Sequence, residues 1–139
     1  MRVLVVDDDP DLGLLVELFL VRAGHRVVLA ADGLEALALL DQCAISGDAV
    51  ELVVLDWTMP RLDGIGLCRA VRAHPRHHGL GLLMVTALAD LTTPTAAGAD
   101  AVLAKPFTGA RLLAAVDGVA ETMRRRDPLG GGRTLDLPG

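Results

Sequence analysis

Five short, mostly unbroken apolar runs alternate along this chain with longer stretches in which apolar positions return every three or four residues. The runs cover 3–6, 26–30, 51–56, 80–85 and 101–104. An apolar run of this length predicts a strand buried on both faces, as in a parallel sheet. Between them, Asp9 and Pro10 predict a helix start, with Asp9 as the N-cap and Pro10 at the first helical position. Leu12, Leu15, Val16, Phe19 and Leu20 then recur at helical spacing, and Gly24 ends that helix. After an Asp32-Gly33 turn, Leu34, Leu37 and Leu40 predict a second helix to about residue 43. A looser segment, 44–50, carries the turn signal Gly47-Asp48. Ile65, Leu67, Cys68 and Val71 predict a third helix that stops before His74-Pro75. The stretch 88–97 reads poorly as a helix. Thr92-Thr93-Pro94-Thr95 is β-branched and interrupted by proline, so a helix there is short or starts near Pro94. Thr108 caps a last helix to about residue 126, with Leu112, Leu113, Val116 and Val119 facing inward. The order βαβαβαβαβα predicts a doubly wound parallel sheet with helices on both faces. One domain is therefore expected over 1–126. The segment 127–139, with three consecutive glycines and two prolines, is expected to be a linker or frayed end.

Composition narrows the class. Hydrophobic residues make up 52% of the 139, yet no apolar stretch approaches the roughly 18 residues needed to span a bilayer. Met1-Arg2 leads directly into a strand instead of a signal peptide. Cys43 and Cys68 fall in helical patterns and are expected to be reduced, buried thiols, as in the cytoplasm. A net charge of −5 argues against direct nucleic-acid binding by this domain. Twelve of the thirteen basic residues are arginine, leaving Lys105 as the single lysine. His74, His77 and His78 raise the question of a metal site. Nothing else in that stretch looks like a ligand, and with Arg76 among them solvated loop histidines are expected.

Polar residues end four of the strands: Asp7 and Asp8, Asp56, Thr86, and Lys105. In an open α/β sheet, ligands bind in the crevice outside the carboxyl ends of the strands. An aspartate after a strand is commonly a turn former or helix cap, and each of these residues has a structural explanation by itself. Together they define a chemistry. Two carboxylates about 4.5 Å apart repel by roughly 4 kcal/mol at an effective dielectric of about 20. An oxygen-only ligand set suits a hard ion such as Mg²⁺. Carboxylates serve as phosphoryl acceptors, and phosphoryl transfer depends mainly on positioning and neutralising the transferred oxygens. Mg²⁺, Lys105 and the Thr86 hydroxyl would supply those functions.

VLVVDDDP, LVVLDWTMPRLDG, MVTA and KPF, in that order, resemble the receiver domain of two-component response regulators, over about residues 2–126. The resemblance implies a (βα)5 flavodoxin-like fold with strand order 2-1-3-4-5. It implies Asp56 as phosphoacceptor, loaded from a phosphohistidine on a sensor histidine kinase or phosphotransfer protein. Asp8, Asp56 and the Thr58 carbonyl would hold Mg²⁺ directly, and Asp7 through water. Thr86, Lys105 and the Ala87 amide would hold the phosphoryl group, and Lys105-Pro106 would be a cis bond. Three departures stand out. Val102 occupies the position where the family usually carries an aromatic residue, the segment from Thr86 to Lys105 is shorter than usual, and the one around 44–50 is longer. Intact phosphorylation chemistry with an altered output surface is expected.

Other readings compete. A haloacid dehalogenase-type phosphatase shares the strand-end acid, threonine, lysine and Mg²⁺, and Asp7 and Asp9 give its D-x-D spacing. Asp11, however, stands where that family expects Thr or Val. A flavin module would need a Ser/Thr/Gly-rich phosphate loop where this chain has acids. A phosphorylation-independent interaction module of the same fold is a further alternative. No effector domain follows, so the chain reads as a stand-alone receiver. Alternatively it is the N-terminal part of a winged-helix transcriptional regulator, whose opening strand residues 132–137 faintly resemble. Arg124, Arg125 and Arg126 are expected to complement the negative end of the last helix.

Overall fold

The computed structural model describes residues 1–126. The linker assignment for 127–139 and the winged-helix likeness of 132–137 lie outside the described residues. Five strands and five helices alternate: β1 (Arg2–Val6), α1 (Pro10–Arg22), β2 (Arg26–Ala30), α2 (Gly33–Ile45), β3 (Leu52–Asp56), α3 (Gly64–Ala73), β4 (Gly81–Thr86), α4 (Thr92–Ala97), β5 (Ala101–Ala104) and α5 (Gly109–Arg126). The sheet is entirely parallel, in the order β2-β1-β3-β4-β5. This is the doubly wound flavodoxin-like fold.

The pleat of each central strand feeds two cores. Leu4, Val6, Val53, Leu55, Leu82 and Met84 face α2, α3 and the α4 region. Their neighbours Val3, Val5, Leu52, Val54, Leu83 and Val85 face α1 and α5. Strands buried on both faces need apolar residues at every position, hence the unbroken runs.

The helix starts are set by side-chain oxygens. Asp9 accepts from the Asp11 and Leu12 amides, Asp32 from Glu35, Asp63 from Gly66, and Thr108 from Arg111. Gly24, at φ 94°, closes α1. The fourth helix is short, six residues, and Pro94 sits inside its first turn, where its missing N–H costs nothing. Its start is held by Asp90, which accepts from the Thr92 and Thr93 amides and the Thr93 hydroxyl. These bonds, the Thr93 hydroxyl foremost, hold the Asp90 carboxyl below its usual pKa.

Two of the residues that recur at helical spacing face outward. Leu15 is 44% exposed and Leu34 47% exposed. Both helices are apolar nearly all round, so spacing alone did not single out the buried face. Cys43 and Cys68 are buried free thiols, and burial pushes Cys68 up to about 12. No helix among the described residues is long and apolar enough to cross a membrane.

Arg72 compensates for the brevity of α4. Its guanidinium donates to the carbonyls of Gly98, His78 and Leu80 and to Asp100, which also accepts from the Leu82 amide. Arg126 reaches the same Asp100, so part of the basic end of α5 serves a tertiary contact.

Gly64 lies where α3 passes the end of β3. A Cβ there would come 2.8 Å from the Trp57 Cα and closer still to the Asp56 carbonyl oxygen. Gly64→Ala should therefore destabilise the fold by about 1–3 kcal/mol in urea unfolding. Gly13, mid-helix in α1 with open space around its Cβ position, should show the opposite sign: Gly13→Ala adds about 0.5–1 kcal/mol. Equal effects at the two positions would contradict this packing account.

Candidate functional site

Register places the acids. Val6 pairs with Leu55, and Asp56 pairs with Val85. Asp7, the residue after Val6, therefore leaves the sheet beside Asp56. One oxygen from each of Asp7, Asp8 and Asp56 lies within 4.8 Å of the others. The Asp56 side chain is only 11% exposed, and the Lys105 ammonium stands 3.1 Å from its Oδ2. Lys105 is itself anchored, since its amide donates to the Thr86 carbonyl at 2.9 Å, and the Lys105-Pro106 bond is cis.

Three carboxylates and one ammonium leave a strong local excess of negative charge. Asp7 shows the consequence. Burial first, then the charges of Asp56 and Asp8, push its carboxyl above the usual range, against the opposing pull of the Asp9 amide and Lys105. The Asp9 amide donates to Asp7 Oδ1 at 2.9 Å, fixing the orientation of the side chain.

Thr86 ends β4, one position beyond the Asp56–Val85 pair, and is 2% exposed. Its hydroxyl oxygen accepts from the Leu88 amide at 3.0 Å, which leaves its own proton free to donate. Ala87 and Thr58 are exposed on the two loops flanking the crevice. Asp7, Asp8, Asp56 and Lys105 thus converge directly. Thr86 sits at the adjoining strand end, and Ala87 and Thr58 lie on the rim.

Sequence reasoning missed a clamp on the same loop. Arg61, at φ 68°, is a non-glycine residue in the left-handed region. Its guanidinium donates twice to Asp32 Oδ2, through Nε at 3.0 Å and through Nη2, tying the β3–α3 loop to the start of α2. The Glu35 amide, then Arg61, hold the Asp32 carboxyl below its usual pKa. The only sequence signal was an arginine set between the apolar Pro60 and Leu62.

The histidine assignment also changes. His77 is buried, 4% exposed, and its Nε2 lies 2.7 Å from Asp41 Oδ1. It is not a solvated loop residue, because α2 packs an acid against it.

The chain thus presents a flavodoxin-like sheet with a buried acid, a flanking acid pair, a threonine and a lysine at its carboxyl edge. A family model described as "Response regulator receiver domain" matches residues 3–117. The transcriptional regulatory protein YrkP of Bacillus subtilis is 39% identical over 115 residues, covering 83% of this chain and 47% of YrkP. A chemotaxis protein CheY homolog of Campylobacter jejuni is 35% identical over 112 residues, covering 78% of this chain and 83% of the homolog. The crystal structure of CheY4 from Vibrio cholerae superposes with a TM-score of 0.77 at 31% identity, covering 85% of this chain and 97% of CheY4. The chain belongs to the response regulator receiver domain family. It spans about half the length of several of the curated relatives it matches.

Because the Asp7 pKa is raised in the fold, its charge costs stability above that pKa, and the cost fades as pH falls through it. Asp7→Asn keeps an acceptor for the Asp9 amide while removing the charge. With divalent cations chelated, this variant should melt a few degrees higher at pH 7 by calorimetry, the gain shrinking towards pH 4. A lower melting temperature at pH 7 would contradict the idea that the buried, acid-flanked Asp7 charge costs stability.

Proposed function

We propose that this receiver domain accepts a phosphoryl group on Asp56 from the phosphohistidine of a sensor histidine kinase or phosphotransfer protein, in a Mg²⁺-dependent reaction. The observation that carries this reading is the convergence of Asp56 with Asp7 and Asp8 on one side and the Lys105 ammonium on the other.

The acid set fits a hard divalent cation. Its donors are oxygen only, they lie close enough for one ion to serve all three, and the Asp7 carboxyl is raised first by burial and then by its acidic neighbours, a penalty on its charge that a cation relieves. Asp8, Asp56 and the Thr58 carbonyl would hold Mg²⁺ directly, and Asp7 through water. When bound, Mg²⁺ supplies positive charge to the equatorial phosphoryl oxygens.

The protein's own groups do the rest. An Asp56 carboxylate oxygen attacks phosphorus, and the P–N bond to the donor imidazole breaks with its electron pair returning to the ring nitrogen. Lys105, already within hydrogen-bond distance of Asp56, follows the charge as it moves onto the phosphoryl oxygens. The Thr86 hydroxyl proton and the Ala87 amide donate to those oxygens. Turnover is limited to this self-phosphorylation and a slow loss of the phosphoryl group. That separates the domain from a haloacid dehalogenase-type phosphatase, which would turn over a phosphate ester repeatedly.

The output surface is altered. Val102, half-buried and paired with Met84 across β4 and β5, offers no ring whose rotation could report on Thr86, and α4 is only six residues long. The downstream partner is a separate matter. Relatives about twice as long carry names of transcriptional regulators, which supports a second reading of this chain as the receiver part of such a protein.

Trp57, the single tryptophan, follows Asp56 directly. Its fluorescence should change with Mg²⁺ and again with acetyl phosphate, and intact-mass spectrometry should then show one added phosphoryl group. Asp56→Asn should abolish both the second change and the added mass. If the mass still appears in that variant, another residue is the acceptor. If wild type gains none, the phosphorylation-independent module is the better account.

A further inference from the structure

Asp41 lies in the C-terminal half of α2, and His74 and His77 lie in the turn that follows α3. Ligand atoms of the three side chains fall within 4.8 Å of one another. We propose that Asp41, His74 and His77 form a second metal site, for a borderline divalent cation of the Zn²⁺ class, separate from the acid cluster around Asp56.

Two imidazoles and one carboxylate make a mixed nitrogen–oxygen donor set, which suits Zn²⁺, Ni²⁺ or Cu²⁺ far better than Mg²⁺. The donor atoms are already gathered around one carboxylate oxygen. His77 Nε2 is 2.7 Å from Asp41 Oδ1, His74 Nε2 is 3.8 Å from the same oxygen, and the two rings stack at 4.1 Å between centroids. Burial of His77 fixes its orientation before any ion arrives. The His77 contact also holds Asp41 below its usual pKa, so the carboxylate is ionised and able to ligate.

Binding has an identifiable cost. His74 Nδ1 accepts from the Arg76 amide at 3.0 Å, so its neutral ring carries the proton on Nε2. Coordination through Nε2 moves that proton to Nδ1 and releases the Arg76 amide. The Arg76 guanidinium, 3.5 Å from Asp41 Oδ1, is a like charge at the rim that opposes the cation. Helices of this fold run back against the strands, so their C-terminal ends lie at the edge opposite Asp56. A cation here therefore ties α2 to the α3–β4 link without touching the phosphoacceptor.

Zn²⁺ titrated calorimetrically into an Asp8→Asn/Asp56→Asn background, which disables the acid cluster, should bind one equivalent, and the full chain should bind at least as much. Asp41→Asn and His74→Gln, at half-exposed positions whose folding circular dichroism checks, should each weaken binding at least about tenfold. Arg76→Gln should tighten it. In the Asp8→Asn/Asp56→Asn background Zn²⁺ should raise the melting temperature, and the addition of His74→Gln should remove that rise; Zn²⁺ should also shift the Arg76 amide resonance. The proposal is overturned if Zn²⁺ does not bind, if the Asp41 and His74 variants bind as wild type does, or if binding disappears in the Asp8/Asp56 background.

Discussion

The mutual repulsion of three carboxylates at the mouth of the sheet is the constraint around which this domain is built. Lys105 answers one of those charges directly, at 3.1 Å from Asp56. The remaining excess is the electrostatic ground for the proposed Mg²⁺-dependent phosphoryl acceptance. Such a site is costly to keep in a fold. Asp7, whose carboxyl is pushed above its usual range mainly by burial and then by its acidic neighbours, is where the cost is visible.

The sheet holds that arrangement in place. β1 and β3 are adjacent and parallel, so Asp7 and Asp56 leave the core side by side, and β4 and β5 carry Thr86 and Lys105 to the same edge. β1, β3 and β4 are buried along nearly their whole length, and a register slip in any of them would displace the acids. The Lys105 amide bond to the Thr86 carbonyl then links the last two strand ends where the chemistry needs them. On the far edge, Arg72 performs the corresponding task. It gathers the carbonyls of His78, Leu80 and Gly98 with Asp100, and so connects α3, β4 and the end of the short α4.

The strand-end site and the surface around α4 are structurally separable. The acids, threonine and lysine occupy strand ends, whose positions follow from the ladder of backbone hydrogen bonds. The segment from Leu88 to Ala97 is a different kind of structure, with a six-residue helix started by Asp90 and few apolar residues to anchor it. A sheet edge of this kind can keep its site while the neighbouring surface is remodelled, because the site does not depend on α4 for any of its side-chain contacts among the described residues.

Local sequence determined the elements and the strand-end chemistry. Unbroken apolar runs can only be satisfied by strands buried on both faces, and Asp9, Asp32, Asp63 and Thr108 stand where helix amides need an oxygen. The acids at the ends of those runs are therefore legible as a cluster from the sequence alone. Tertiary structure decided what lies far apart in the chain. It chose which face of the all-apolar α1 is buried, leaving Leu15 outside. It brought Arg61 onto Asp32 and packed Asp41 against His77 across 36 positions. Propensity and periodicity act over a turn or two of chain, whereas these contacts depend on how helices dock on a sheet, and only the folded protein contains that information.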